Sequence, residues 1–213
     1  YKNFKIEPKD KRSIVLIGNF DGLHLGHQKL FTQAQKYKKK YKSKIGVLTF
    51  EPMPKMFFNK KLKNFRISDK KQKLNLFKKF KVDFVILKKF TRKLSRMKSD
   101  KFIKGILGKN LAARFIFVSD NFRFGNKREG DVKQLKTFEN ILNYKIIKPN
   151  PLILNKNIVS SSLIRRNLQI GNLSKANNLL NRKWSIFGKV QKGKQLGKKI
   201  GFPTANIDIK DYI

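Results

Sequence analysis

The stretch GNFDGLHLGH, residues 18–27, contains both histidines of this 213-residue chain, His24 and His27. It follows a short apolar run and precedes a segment of helical character. Imidazoles three positions apart lie on one face of a helical turn, where they can donate hydrogen bonds to a charged oxygen. Glycine permits a tight turn and close approach of a ligand; the stretch has three, Gly18, Gly22 and Gly26. The pattern predicts phosphate binding where a strand passes into a helix.

Two other interpretations of the histidine pair are open at this point. The pair could bind a metal ion, but the chain has no cysteine and no third histidine to complete a common ligand set. The two residues could also be ordinary surface histidines. Their position in a glycine-rich turn directly after a hydrophobic strand favours phosphate binding, because a motif carries weight in its required structural context.

A second polar cluster lies at residues 160–166, SSSLIRR. Ser160, Ser161 and Ser162 stand at a predicted helix start, and Arg165 follows one turn later. Hydroxyl groups and a guanidinium at a helix N-terminus suit a polyphosphate. The simpler alternative is that a serine only caps the helix.

The elements that position these residues follow from the apolar pattern. Five short runs rich in Ile, Val and Phe are typical of buried parallel strands: 13–20, 44–50, 82–90, 113–120 and 144–149. Helical stretches lie between them, at 24–40, 69–80, 99–108 and 130–142. This alternation predicts a doubly wound α/β domain with a five-stranded parallel sheet, which binds ligands beyond the carboxyl ends of its strands.

The pattern changes after Pro149–Asn150–Pro151. Two short helices are predicted at 161–169 and 173–181, and the segment from Lys183 then has short strands, glycines and no helical period. We therefore predict a first domain over residues 1–182 and the beginning of a small β-rich domain over residues 183–213.

The charge and the composition indicate which kinds of partner and which compartment fit the chain. The net charge is +39, which attracts polyanions such as nucleic acid and nucleotides. Only ten of the 52 basic residues are arginine, and the lysines are spread along the chain, which favours a solvated lysine-rich surface over a nucleic-acid interface. No apolar run is long enough for a membrane span. The absence of cysteine is consistent with a reducing compartment, and we expect a cytoplasmic protein.

Five motifs in order make the chain resemble the bacterial bifunctional FAD synthetase family (riboflavin kinase/FMN adenylyltransferase), in the HxGH nucleotidyltransferase superfamily. They are GNFDGLHLGH (18–27), LTFEPMP (48–54), VSDNFRFGNKREGD (118–131), VSSSLIRRNLQIGNLSKANNLLNR (159–182) and GKVQKGKQLGKKIGFPTANI (188–207). Two positions depart from the family pattern: Met53 stands where histidine is usual, and Ser119 where glycine is usual. We assign Met53 no role.

The resemblance implies a Rossmann-like nucleotidyltransferase fold over residues 1–182, followed by the incomplete N-terminal part of a riboflavin kinase β-barrel domain over residues 183–213. It also implies transfer of AMP from ATP to FMN. It implies that His24, His27 and Arg165 are catalytic and act on the ATP phosphates. It further implies an ATP site that contains Gly18, Phe20, Asp21, Gly22, Gly26, Ser160, Ser161 and Ser162. Asn121 and Arg123 would contact the flavin phosphate or the nucleotide.

The resemblance also implies a second activity, phosphorylation of riboflavin to FMN. Thr204 and Asn206, in GFPTAN, would help to bind Mg²⁺ and ATP phosphates there. The family's catalytic carboxylate falls beyond Ile213, so we expect these 213 residues to make FAD from FMN without phosphorylating riboflavin. Two rival functions are another HxGH nucleotidyltransferase with a different phosphorylated acceptor and a basic nucleic-acid-binding module.

Overall fold

The five apolar runs form five strands of one sheet in a computed structural model, which describes residues 1–62, 64–193, 196–202, 204–209 and 212–213. The strands are β1 (Ile14–Ile17), β2 (Ile45–Glu51), β3 (Phe84–Lys89), β4 (Phe115–Phe117) and β5 (Lys145–Ile147). Their order in the sheet is β3-β2-β1-β4-β5, and each neighbouring pair is parallel. This confirms the predicted α/β fold with a five-stranded parallel sheet.

Helices connect the strands close to the predicted positions. Those of the first part of the chain are α1 (Leu25–Tyr41), α2 (Pro54–Phe58), α3 (Lys70–Lys79), α4 (Arg92–Ser95), α5 (Ser99–Lys101) and α6 (Val132–Thr137). They are followed by α7 (Ser161–Gln169), α8 (Leu173–Leu180) and the short α9 (Leu196–Lys199).

Two helices differ from the prediction. Helix α5 continues as a π-helix over Phe102–Asn110, so most of the segment predicted as a regular helix is wound more loosely. Helix α6 ends at Thr137, five residues before its predicted end. The side chain of Glu139 accepts a hydrogen bond from the Ile146 amide at 2.7 Å, which ties the chain to β5 instead of extending the helix.

The central strands are buried on both faces, which is why they read as continuous apolar runs. Side chains alternate along β1: Val15 and Ile17 belong to one core cluster, whereas Ile14 and Leu16 belong to the other. The first cluster includes residues of the π-helix, and the second includes side chains of α1 and α3. A third cluster joins α7 and α8 to Ile67 and Val159.

The C-terminal segment has little regular structure among its described residues. Strand Val190–Gln191 pairs antiparallel with Asn206–Ile207, and many apolar side chains are exposed. These are Phe187, Val190, Leu196, Ile200, Phe202, Ile207 and Ile209. Pro203 of the GFPTAN motif lies outside the described residues. Among the residues described, none of the helices combines the length and the apolar character that a membrane crossing requires.

Candidate active site

A cleft of about 570 Å³ lies at the carboxyl end of the sheet, within the size range of small-molecule sites. The segments after β1, β2, β4 and β5 line it together with the start of α7. Twelve of the predicted site residues line this cleft: Gly18, Phe20, Asp21, His24, Gly26, His27, Asn121, Arg123, Ser160, Ser161, Ser162 and Arg165. Gly22, Thr204 and Asn206 are not part of its wall.

The two histidines stack on each other at the start of α1. Their ring centroids are 3.7 Å apart, with an interplanar angle of 21°. His24 is the N-cap of the helix, and its Nδ1 accepts a hydrogen bond from the His27 amide at 3.4 Å. Because Nδ1 is the acceptor, the neutral ring carries its proton on Nε2. Phe20 packs edge-on against His27 at 5.2 Å and supports its ring.

Both imidazoles are neutral near pH 7. Burial lowers the pKa of His24 to about 4, and the positive charges of Arg165 and Arg182 contribute to the shift. Burial also lowers the pKa of His27 well below its usual value, with further contributions from His24 and Lys73. As a neutral ring, each imidazole can donate one N–H hydrogen bond.

Two glycines of the turn sit where a side chain would collide with a neighbour. Gly22 has φ +77°, and a Cβ there would lie 2.8 Å from the Ile67 side chain. This residue therefore supports the shape of the turn without lining the cleft. At Gly26 a Cβ would lie 3.1 Å from the Val159 carbonyl oxygen. The first turn of α1 thus packs closely against the chain that leads into α7.

Asp21 and Arg165 form a buried ion pair beneath the histidines. The Asp21 side chain is 2% exposed and accepts hydrogen bonds from the Ile67 and Ser68 amides at 3.2 Å. Arg165 donates from Nη2 to Asp21 at 2.6 Å and from Nε to the Phe65 carbonyl at 2.8 Å. Its guanidinium also lies 3.7 Å from the centre of the Phe65 ring. These contacts fix Arg165 at the cleft wall, whereas Arg166 is exposed.

The three serines have different surroundings. Ser160 is the N-cap of α7, and its hydroxyl accepts a hydrogen bond from the Leu163 amide at 3.2 Å. The Ser161 hydroxyl donates to the Asp21 carbonyl at 2.9 Å, which joins α7 to the histidine turn. Ser162 is exposed and lines the cleft. The capping alternative therefore describes Ser160, while Ser162 is placed to meet a ligand.

The segment after β4 also lines the cleft. Asn121 accepts a hydrogen bond from the Ser119 hydroxyl at 3.0 Å, and Arg123 pairs with Asp131 at 3.2 Å. Phe122 lines the cleft, whereas Phe124 is buried in the core. Serine at position 119 thus orients the side chain of Asn121.

Several cleft residues were not predicted. Lys29, Lys55 and Arg128 add positive charge to the wall. Phe57, Phe58 and Phe90 form an aromatic cluster with ring centroids 5.2 to 5.8 Å apart, beginning three residues beyond Pro54 of the cleft wall. The Phe58 side chain is 68% exposed. The succession of Phe57 and Phe58 was the feature of the sequence from which this aromatic cluster could have been predicted.

The described residues contain no group of three histidine, aspartate or glutamate side chains that could hold a metal ion. In the cleft, the Asp21 carboxylate is already occupied by Arg165 and two backbone amides. The donor set of this part of the chain therefore does not suit a resident divalent cation held by protein ligands alone.

Comparisons with known proteins show which families the chain resembles. Residues 6–163 match the family model of FAD synthetase, and residues 180–213 match that of riboflavin kinase. A protein of Buchnera aphidicola subsp. Schizaphis graminum is 39% identical over 205 residues, which are 96% of this chain and 66% of that protein. One of Escherichia coli K12 is 34% identical over 200 residues, 94% of this chain and 64% of that protein. Both are named bifunctional riboflavin kinase/FMN adenylyltransferase.

The chain spans 63 to 66% of the length of the first curated relatives that it matches. A crystal structure from Streptococcus pneumoniae, described as a macrolide-efflux protein, has a TM-score of 0.83 and 28% sequence identity. The similarity covers 98% of this chain and 68% of that one. The two proteins therefore share one fold over nearly all of the present chain.

Proposed function

The chain belongs to the FAD synthetase family, and on that basis we propose that it transfers the adenylyl group of ATP to FMN, giving FAD and pyrophosphate. The observation that carries the proposal is the meeting of His24, His27 and Arg165 at one cleft beyond the sheet. These groups are hydrogen-bond donors, and both substrates are anions.

The reaction needs positioning and charge stabilisation more than it needs a protein nucleophile. An oxygen of the FMN phosphate attacks the α-phosphorus of ATP and forms the new P–O bond. The bond from that phosphorus to the oxygen bridging the α- and β-phosphates breaks, and pyrophosphate leaves with the electron pair. Negative charge on the phosphoryl oxygens is stabilised by donors that are already in place, which is the largest contribution in many enzymes.

The proposed phosphate site lies between two helix N-termini. Helix α1 begins at Leu25 and α7 at Ser161, and residues of both first turns line the cleft. The positive ends of the helix dipoles and the amides of the first turns favour a polyanion there. We assign Nε2–H of His24, the His27 ring, Arg165 and Ser162 to the ATP phosphates, and Gly18 and Phe20 to the surrounding nucleotide pocket.

The flavin is proposed to bind across the cleft from the histidines. Asn121 and Arg123, for which the resemblance implies contact with the flavin phosphate or the nucleotide, are proposed to contact the flavin phosphate. The exposed Phe58 and its neighbours Phe57 and Phe90 offer a surface on which a planar ring can pack.

Mg²⁺ is proposed to enter with ATP as part of the substrate, because it is commonly held by substrate phosphates and water. For the riboflavin kinase activity, Thr204 and Asn206 remain the proposed ligands of Mg²⁺ and the ATP phosphates. Thr204 is exposed, and Asn206 lies in the second strand of the small C-terminal sheet. The domain boundary near Arg182 and the cytoplasmic location likewise stay predictions.

The direct test is to mix the protein with ATP, Mg²⁺ and FMN and to measure FAD by chromatography and pyrophosphate release by a coupled assay. His27→Ala should lower kcat by about a hundredfold, the usual effect of removing one transition-state donor. Lys36→Ala, an exposed substitution in the same helix, is the matched control and should leave kcat unchanged. Absence of FAD, with pyrophosphate release that requires a different acceptor, would contradict the proposal.

A further inference from the structure

Lys73 is a buried lysine for which the described part of the chain offers no polar partner. It lies in α3 and is 2% exposed, and its Nζ donates no hydrogen bond to any residue that the structure describes. Buried ammonium groups are costly, and buried polar atoms nearly always have partners. A group that breaks both rules calls for a functional explanation.

The position of Lys73 connects it to the phosphate-binding turn. The residues directly before α3, Ile67 and Ser68, hold the Asp21 carboxylate through their amides. One turn beyond Lys73 on the same face, Phe77 contacts Phe20 at 5.9 Å, and Phe20 in turn supports His27. Helix α3 therefore packs against the histidine turn, with Lys73 between these two contacts and outside the set of residues that line the cleft.

Among the residues that the structure describes, the cations around this point outnumber the carboxylates that pair with them. Asp21 pairs with Arg165, and Glu51 pairs with Arg66. Two further cations, Lys73 and Arg182, lie in the same region. Arg182 donates to the neutral Leu180 carbonyl and Ser68 hydroxyl.

Lys73 differs from these arginines because it has no hydrogen-bond acceptor among the described residues. Burial lowers the pKa of its amine, and Arg66 adds to that shift, while the carboxylates of Asp21 and Glu51 oppose it. His27 is in a similar position, because its Nδ1 is buried and has no hydrogen-bond partner among the residues described. The positive charge of Lys73 disfavours protonation of the His27 ring.

We propose that Lys73 is a positioning residue of the phosphate site, whose buried ammonium group holds positive charge close to His27 and is further stabilised when a triphosphate occupies the cleft. This inference rests on the proposed function. Charge in a poorly screened interior acts over longer distances than charge on the surface. The same group therefore attracts ATP and destabilises the empty protein, so that its removal has opposite effects on binding and on stability.

The test uses Lys73→Met, which removes the charge and keeps most of the side-chain volume. The matched control is Lys71→Met, an exposed lysine of the same helix. Calorimetric titration with MgATP should show binding about tenfold weaker for Lys73→Met, equivalent to 1.4 kcal/mol, and within about twofold of the original for the control. Thermal unfolding of Lys73→Met should occur at a higher temperature than that of the unchanged protein.

Histidine NMR supplies a readout that a purely structural role would not move. The chain has only two histidines, so their ring resonances can be assigned and titrated. Lys73→Met should raise the pKa of His27, because a positive neighbour is lost, and Lys73→Arg should restore most of the MgATP affinity, because the charge returns.

Each outcome decides between the possibilities. If the unchanged protein binds MgATP and Lys73→Met binds it equally well, the inference is wrong while the proposed function stands. Lower stability of Lys73→Met also overturns the inference, since it would mean that Lys73 supports the fold. If the unchanged protein does not bind MgATP, the proposed function and the inference fail together.

Discussion

Replacing Asp21 with asparagine keeps the shape of a buried side chain and removes its charge. In the protein, Asp21 accepts hydrogen bonds from two backbone amides and from Arg165, all within 3.2 Å. Asparagine retains one carbonyl oxygen as an acceptor but leaves the guanidinium of Arg165 without a counter-charge. We expect the substitution to destabilise the fold and to weaken the binding of ATP.

The magnitude follows from the burial of the pair. The side chains of Asp21 and Arg165 are 2% and 12% exposed, so solvent screens the pair little. Breaking a buried ion pair by removing one partner typically costs about 3–5 kcal/mol. Because asparagine keeps part of the hydrogen bonding, we expect the lower end, about 3 kcal/mol. For a chain of this length that lowers the melting temperature by about 6–12 °C.

Urea and thermal unfolding of Asp21→Asn measure this cost, with Asp120→Asn as the matched control. Asp120 also forms an ion pair, with Lys148, but that pair is exposed. Its loss should change stability by less than about 1 kcal/mol. Adding Arg165→Met to Asp21→Asn should recover part of the loss, since the uncompensated charge is then removed, and the double-mutant cycle gives the coupling energy.

The reasoning would be refuted by two results. A destabilisation below about 1 kcal/mol for Asp21→Asn would mean that the buried pair contributes no more than a surface ion pair does. A double variant whose loss equals the sum of the single losses would mean that Asp21 and Arg165 are not energetically coupled.

Two further predictions concern the histidine turn and α7. The pKa of His24 is about 4 in the folded protein, against 6.5 for an unperturbed histidine. Between pH 4 and pH 6.5 the unfolded chain therefore binds more protons than the folded protein does. Stability should therefore fall by up to about 3 kcal/mol as the pH drops from 6.5 towards 4. His24→Asn, which can still cap α1, should flatten this slope in pH-dependent urea unfolding, and an unchanged slope would contradict the assignment. Ser160→Ala should cost about 1 kcal/mol in thermal unfolding through the lost cap. Ser162→Ala should leave stability unchanged and weaken MgATP binding by about fivefold in calorimetry; equal effects of the two substitutions on both quantities would contradict their separate roles.

Local patterns in the sequence were sufficient for the main architecture. The strands are continuous apolar runs because a parallel sheet covered on both faces buries every residue, as in β1. The ends of α1 and α7 fall within one residue of the predicted ends, because capping and helical spacing act over neighbouring residues. The early end of α6 was missed because the contact between Glu139 and Ile146 competes with the helix.

The sequence also predicted most of the site residues that meet at the cleft, since the carboxyl ends of parallel strands share one edge of the sheet. It did not predict Lys29, Lys55 and Arg128. Only the tertiary structure decided what each residue does there. Nothing in the local pattern distinguishes Lys73 from the other lysines, or shows that Asp21 supports an arginine 144 positions away. Periodicity in the sequence shows only which face of a helix or strand is apolar. The burial of a charged side chain and its pairing depend on which distant segments pack together. For Lys73 and Asp21 these properties follow from the packing of α3 and α7 against the histidine turn.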